Sequence, residues 1–220
     1  MKKIYVSPSD QTGNKYAYGD TNEAVVCREI AKKLCAALER CGFETKADYA
    51  DGTNAMKNRC NQSDAWGADL HIPIHTNAFN GQTSGTRIFA YNLTGPGYQA
   101  SKCIFDALAS ITPGTSENIS ANPNLYEIRV PKASTVYVEV DFHDVPKVAK
   151  WLIENTEAVA EAICKGVCNY YKTQFVEAIL PESNKLYRVQ VGAFRNRKYA
   201  ESLRDDLKKA GFDGFIVEAK

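Results

Sequence analysis

Thr135-Val-Tyr-Val-Glu139-Val-Asp-Phe-His143 is the stretch that best indicates the fold of this chain. Its β-branched and aromatic residues predict a strand, and its valines at 136, 138 and 140 fall on one buried face. Glu139 interrupts this apolar run. A lone carboxylate in a buried strand is costly unless it is paired, protonated or beside a metal ion. Glu139 therefore either faces solvent on an alternating strand or is delivered by the strand to a functional site.

Length and composition limit the class of protein. The chain has 220 residues, 44% hydrophobic and 24% charged, which is typical of one globular domain with a small appendage. The net charge of +1 disfavours a nucleic-acid partner, and no apolar run approaches membrane-spanning length, so we expect no membrane insertion. The basic start lacks an apolar signal region and is predicted to be the first strand, which favours synthesis in the cytoplasm.

The seven cysteines are odd in number and contain no Cys-x-x-Cys pair. Most fall on apolar helix faces. This pattern favours reduced core thiols, in a protein made in a reducing compartment, over disulfides or a zinc site.

Predicted strands alternate with predicted helices through residue 171. This order is typical of an α/β domain with a mostly parallel, twisted sheet flanked by helices. Ser7, His75 and Glu139 fall at or near predicted strand ends, and sites in such sheets lie beyond the carboxyl ends of the strands. Residues 111–123 are predicted to be a polar loop, and Leu125–Arg129 a short strand.

The C-terminal part is predicted to be separate. Residues 1–171 form the main domain, 172–184 a linker, and 185–220 a β-α-β unit, with strands over Leu186–Phe194 and Phe212–Val217 around a helix over Lys198–Ala210. Such a unit is too small to bury a core alone.

Glu23, His75 and Glu139 are candidates for a metal site. Glu23 has an alternative role in a capping box with Asp20, and His75 has one as a hydrogen-bonded histidine at a strand end. Together, Glu23 and His75 offer two ligand types that zinc accepts, and Glu139 fits a general base acting on metal-activated water.

The segment Asp69-Leu-His-Ile-Pro-Ile-His75-Thr-Asn77-Ala-Phe resembles the corresponding segment of zinc-dependent N-acetylmuramoyl-L-alanine amidases of the Amidase_3 type. Asn22-Glu23 and Val138–Phe142 match two further signatures of that family, in order and spacing. The resemblance covers about residues 1–171. It implies a Zn²⁺ site at the carboxyl edge of the sheet, with Glu23 and His75 as ligands and Glu139 as the catalytic carboxylate.

One departure concerns the remaining ligand. The family has a histidine after the first strand, in an Asp-Pro-Gly-His-Gly pattern, where this chain has Ser7-Pro-Ser-Asp10-Gln11. Asp10 aligns with that histidine and His143 is another candidate. We favour Gln11, because a Ser-Pro-Ser-x-Gln subgroup of the family is similar to this chain. The missing histidine could mean a weaker or different metal.

The C-terminal unit resembles half of a SPOR repeat, a peptidoglycan-binding module, through Tyr187–Phe194 and the helix that follows. A half repeat leaves an apolar face and a strand edge that need a partner. We expect two chains to pair these halves as a homodimer. The alternative is that the unit packs back onto the main domain.

These resemblances imply a peptidoglycan hydrolase that cuts between N-acetylmuramic acid and L-alanine. Asn77, Arg129 and His143, near the same edge of the sheet, are candidate substrate contacts. We expect it to reach Gram-positive cell walls after lysis. The protein would then be either a phage endolysin, which the compact chain slightly favours, or an amidase released when a sporulating mother cell lyses. The alternatives are a non-catalytic wall-binding protein that has lost its metal and a peptidase acting on soluble peptides.

Overall fold

The computed structural model of the chain describes residues 1–178 and 189–218. It divides into two units, Met1–Ala178 and Ile179–Lys220. The first unit is built on a seven-stranded sheet with the order β2-β1-β3-β7-β4-β5, in which β6 also pairs with β3. The strands are β1 (Lys3–Pro8), β2 (Glu44–Ala47), β3 (Leu70–Asn77), β4 (Arg87–Ala90), β5 (Asn118–Ala121), β6 (Ser134–Thr135) and β7 (Tyr137–Phe142). All pairings are parallel except that of β4 with β7, which confirms the predicted α/β class.

Six helices accompany the sheet. Helix α6 packs against α1 and α3, while α2 contacts β1 and α4. Their bounds are α1 (Glu23–Arg40), α2 (Ala55–Trp66), α3 (Gly95–Ala109), α4 (Tyr126–Arg129), α5 (Pro146–Glu154) and α6 (Thr156–Tyr171).

The start of α1 positions a functional residue. The side chain of Asn22 caps the helix by accepting a hydrogen bond from the Val25 amide at 3.1 Å. The alternative capping box with Asp20 is therefore wrong, and Glu23 is the first helical residue. Its side chain is free to serve another purpose.

The central strands β3 and β7 separate apolar from polar side chains. Because side chains alternate along a strand, Val136, Val138 and Val140 share one face and are fully buried there. His75 and Glu139 are register partners on β3 and β7. In parallel neighbours this pairing places both side chains on the same face, so the alternation brings the two candidate residues together.

Two local predictions are wrong. The predicted loop over 111–123 contains β5, a polar edge strand that pairs in parallel with β4. Its Asn-Ile-Ser-Ala sequence lacks a clear apolar alternation because an edge strand is half exposed. The predicted strand Leu125–Arg129 is the one-turn helix α4, in which the amides of Ile128 and Arg129 bond back to the Leu125 carbonyl.

The second unit contains the helix α7 (Arg197–Lys209), capped by Asn196, which confirms the predicted helix. Within 189–218 no strand is formed, so the described parts of the two predicted strands do not form the expected ladder. A strand needs a hydrogen-bonded neighbour, and a unit of this size supplies few. Residues 179–188, which hold the rest of the first strand and part of the predicted linker, lie outside the described residues.

Two global expectations concern the cysteines and the membrane. Five of the seven cysteines are buried, as expected of core thiols, and all seven are free. In the part of the chain that the structure describes, no helix has both the length and the apolar character needed to span a bilayer.

Candidate metal centre and active site

A buried histidine lies at the centre of the candidate site. His75 is 5% exposed, and its ring stacks on Tyr137 with 4.6 Å between centroids. Its Nδ1 is 2.8 Å from Glu23 Oε1, and its Nε2 is 3.2 Å from Glu127 Oε2. Two carboxylates, from α1 and α4, thus hold one imidazole of β3 in a fixed orientation.

Glu23 is held by several donors. The Asn14 side-chain amide donates to Oε2 at 2.7 Å, and the Thr76 backbone amide approaches Oε1 at 3.4 Å. Its position at the start of α1 also suits a negative charge. Burial alone raises the pKa of Glu23, but its contacts with His75, Asn14 and Ser9 outweigh burial and lower that pKa. Glu23 is therefore an ionised, oriented carboxylate.

The electrostatics of this pocket favour a cation. Burial disfavours the imidazolium form of His75, yet the bonds to Glu127 and Glu23 prevail and raise its pKa to about 10. A positive charge is thus stabilised between the two carboxylates. A divalent ion bound to Nδ1 and Glu23 would be stabilised by the same negative charges. Imidazole nitrogen and carboxylate oxygen are also donors that zinc accepts. These two residues fit the predicted metal.

Gln11 lies beside this pair. Its side-chain amide nitrogen is 3.4 Å from His75 Nδ1, and its Oε1 accepts from Asn14 at 2.8 Å. Rotating the amide by half a turn would direct its oxygen toward His75 instead. Gln11 is exposed, so it can make this change without disturbing the core. Gln11 is therefore the candidate third ligand that lies closest to His75 Nδ1 in this loop.

The other two candidates for the third ligand are engaged elsewhere. Asp10 pairs with the buried Arg59 guanidinium at 3.3 Å. His143 stacks on Tyr16, and its Nδ1 lies 2.9 Å from the Thr76 hydroxyl and 3.0 Å from the Thr76 carbonyl oxygen. Burial lowers the pKa of His143. The structure therefore brings Gln11, rather than Asp10 or His143, into contact with His75.

Glu139 lies beside His75 on the neighbouring strand, but it forms no hydrogen bond with His75 or Glu23. Its Oε2 is buried and has no hydrogen-bond partner among the described residues. Burial raises the pKa of Glu139 to about 7, with the charge of Glu23 adding to the rise and that of His75 opposing it. Glu139 takes no part in the 2.8 Å hydrogen bond that joins Glu23 to His75. Its position and pKa suit a general base better than a ligand.

The predicted substrate contacts differ in accessibility. Asn77, at the end of β3, is partly exposed, and its Oδ1 accepts from the Ala78 amide at 2.8 Å. Arg129 is exposed at the end of α4. His143 is only 3% exposed. Asn77 and Arg129 are thus available to a ligand, whereas His143 is packed inside the protein.

Glu127 is the residue that the sequence reasoning missed. It is 2% exposed, and its Oε1 accepts from the Ser7 hydroxyl at 2.5 Å, while Arg59 Nε donates to the same hydroxyl at 3.1 Å. Ser7 stands where the Asp-Pro-Gly-His-Gly pattern has its aspartate, so Glu127 supplies a carboxylate to that place from a different element. The sequence signal that could have found Glu127 is the serine at position 7, because a buried Arg59 beside it needs a carboxylate from elsewhere in the chain.

Comparison with known proteins identifies the family of this chain. The model of the family "N-acetylmuramoyl-L-alanine amidase" (Amidase_3) matches residues 8–169, and that of the SPOR domain matches residues 170–220. The sporulation-specific N-acetylmuramoyl-L-alanine amidase of Bacillus subtilis (strain 168) is 23% identical over 222 residues, covering 99% of this chain and 85% of the relative.

Two solved structures share the fold of the first unit. The catalytic domain of CwlV, from Bacillus (Paenibacillus) polymyxa var. colistinus, has a TM-score of 0.69 at 18% identity, covering 79% of this chain and all of that domain. CwlD of Clostridioides difficile, solved with the GerS lipoprotein, has a TM-score of 0.70 at 20% identity, covering 78% and 99%. Because the family model matches most of its length, this chain belongs to the Amidase_3 family of N-acetylmuramoyl-L-alanine amidases.

Proposed function

We propose that this chain hydrolyses the amide bond between N-acetylmuramic acid and the L-alanine of the peptidoglycan stem peptide. The observation that carries the proposal is the convergence of Glu23, His75 and Glu139, in a chain of the amidase family. Three elements far apart in sequence bring these side chains to one face of the sheet. A structural role alone would not require Glu139 to be left without a partner.

The proposed cofactor is a zinc ion held by Glu23, His75 Nδ1 and the amide oxygen of Gln11. When bound, zinc supplies a Lewis acid that polarises the amide carbonyl and acidifies water. His75 Nε2–H would donate a hydrogen bond to Glu127, so that Nδ1 keeps its lone pair for the ion. The nitrogen and oxygen donor set fits zinc, although it also suits related divalent metals.

Glu139 would carry the proton through the reaction. Its carboxylate accepts a proton as the water oxygen bonds to the carbonyl carbon, and it then delivers that proton to the alanine nitrogen as the C–N bond breaks. In the metal-free protein burial raises the pKa of Glu139 to about 7, so this group can take up and release a proton near neutral pH. Asn77 and Arg129, which are accessible to solvent, are proposed to contact the glycopeptide.

The second unit is proposed to bind the wall and to pair two chains. Its described part exposes a set of large apolar side chains, which a half repeat cannot cover by itself: Val189, Val191, Phe194, Phe212, Phe215 and Val217. Pairing with the same unit of a second chain would bury them. A dimeric mass by light scattering at micromolar concentration is expected, and a monomeric mass would reject the pairing.

The proposed setting is a cell wall reached after lysis. The similarity to a sporulation-specific amidase favours the lysis of a sporulating mother cell over a phage endolysin. Fractionation of a sporulating culture is expected to find the protein inside the mother cell before lysis and on wall fragments afterwards. Detection only during phage growth would support the endolysin.

The test of the activity uses purified Gram-positive walls supplied with zinc. The wild-type chain should release new L-alanine amino groups and reduce turbidity, whereas Glu139→Gln and His75→Ala should not. Glu44→Gln, an exposed change on β2, is the matched control that should retain activity. Wall binding without release would favour a non-catalytic binder, and cleavage of soluble peptides lacking glycan would favour a peptidase.

A further inference from the structure

A second cluster of potential metal ligands lies next to the candidate active site. Cys60 of α2, His71 of β3 and Glu127 of α4 each direct one donor atom to a common point, and these atoms lie within 4.8 Å of one another. All three residues are almost completely buried, with exposures of 0%, 0% and 2%. Nothing in the amidase reaction requires a thiol or a second histidine here.

His71 is the observation that singles out this cluster. It is fully buried, and neither ring nitrogen has a hydrogen-bond partner among the described residues. Its ring is held by stacking on Tyr5, at 5.4 Å between centroids, and its Nε2 is 3.9 Å from Glu127 Oε1. A buried polar group without a partner is destabilising. A ligand on the ring nitrogen would remove that cost.

The donor set indicates which ligand would fit. Thiolate, imidazole and carboxylate are together the three side-chain types that zinc accepts, and they come here from three separate elements. Tetrahedral zinc with bonds of about 2.0–2.3 Å needs donors spaced about 3.3–3.8 Å apart. His71 Nε2 and Glu127 Oε1 lie 3.9 Å apart, close to that spacing, and small side-chain rotations would bring the donors to it. We propose that Cys60, His71 and Glu127 form a second, buried divalent-metal site of the zinc class.

This site would be coupled to the first through one carboxylate. Glu127 Oε1 faces His71, whereas Oε2 bonds to His75 Nε2. An ion on Oε1 would fix the side chain of Glu127 and, through it, the orientation of His75. The second ion would thus have a structural role on the same face of β3, next to the histidine that is proposed to bind the first ion.

The chain contains another set of thiols, which provides a control. Cys41, Cys164 and Cys168 also converge within 4.8 Å. Their surroundings are different, because Cys164 Sγ lies 3.7 Å from Cys41 Sγ, which itself accepts from the Val176 amide at 3.3 Å. The buried histidine and carboxylate that mark the proposed site are absent from this set.

Cobalt(II) distinguishes the sites, because a thiolate ligand gives a near-ultraviolet charge-transfer band that nitrogen and oxygen ligands do not. The metal-free 220-residue chain is loaded with Co²⁺ alone, and the metal content is measured by mass spectrometry. We expect about two ions per chain and a thiolate band. Cys60→Ser and His71→Phe, the latter keeping the stack on Tyr5, should each lose the band and about one ion. Glu23→Gln should lose the other ion and keep the band, and Cys164→Ala should keep both.

Three results would overturn the proposal: about one ion per chain without a thiolate band, a band that survives Cys60→Ser, or a band lost only in Cys164→Ala. Circular dichroism of each variant checks folding. If both site variants misfold, the wild-type stoichiometry and the Cys164→Ala spectrum still decide between the outcomes. None of these readouts depends on amidase activity, so failure of the second site is distinguishable from failure of the proposed function.

Discussion

Replacing Glu139 by glutamine should make the metal-free protein more stable and the enzyme far less active. The reason is the buried carboxylate oxygen of Glu139, which has no hydrogen-bond partner among the described residues. Burial raises the pKa of Glu139 from 4.5 to about 7. Since one pKa unit corresponds to about 1.4 kcal/mol, keeping this group charged in the folded state costs up to about 3 kcal/mol.

The sign of the pH dependence follows from the direction of the shift. A carboxyl group whose pKa is raised on folding contributes its stability below its unfolded pKa, and that contribution is lost as the pH rises through the folded value. Glu139→Gln should therefore exceed the wild type in free energy of unfolding by up to about 3 kcal/mol at pH 8. At pH 4.5 the difference should shrink to under about 0.5 kcal/mol.

Urea unfolding followed by circular dichroism, with a chelator present, measures the stability difference. Release of L-alanine amino groups from purified walls measures the activity, which should fall by about 10²–10⁴-fold because a general acid–base group is lost. Glu44→Gln, on the exposed surface of β2, should change neither quantity. Equal stabilities of Glu139→Gln and the wild type at pH 8, or near-normal turnover by the variant, would refute this reasoning.

Three further predictions concern the ligands and the packing. Glu127→Gln should weaken zinc binding at the first site about 10–100-fold, because the partner of the ligating histidine is altered; unchanged affinity in a chelator competition would contradict this. Gln11→Ala should reduce zinc affinity by about tenfold or more while Asp10→Asn changes it less, and the reverse order in the same titration would assign the third donor to the aspartate. Gly166→Ala should destabilise the fold by about 1–3 kcal/mol, because its Cβ would lie 2.8 Å from the Cys103 carbonyl oxygen of α3. Gly97→Ala, where the nearest atom is 3.5 Å away, should be tolerated in the same urea series.

The sequence was sufficient where alternation along one strand decides the geometry. The period-two pattern of β3 and the valines of β7 predict which side chains face the core and which share the other face. The register then brings His75 next to Glu139. Helix α1 was equally predictable from its apolar spacing, although its N-cap is Asn22 and not Asp20.

Contacts made across the sheet could not be predicted in this way. Glu127 reaches His75 only because the short segment after β5 turns into one helical turn, and four residues carry no reliable periodic signal. His71 was expected on the same face as His75, but its approach to Cys60 and Glu127 depends on how α2 and α4 pack. The third metal donor was left open for the same reason, since it depends on a loop side chain.

Zinc binding by Glu23 and His75 is tested most directly by a crystal structure of the 220-residue chain soaked with zinc, with anomalous differences measured at the zinc edge. We expect a peak about 2.0–2.2 Å from both a Glu23 oxygen and His75 Nδ1, with the Glu139 carboxylate beside it but outside bonding distance. No anomalous peak between Glu23 and His75 after soaking, or a Glu139 side chain directed away from that peak, would contradict this expectation.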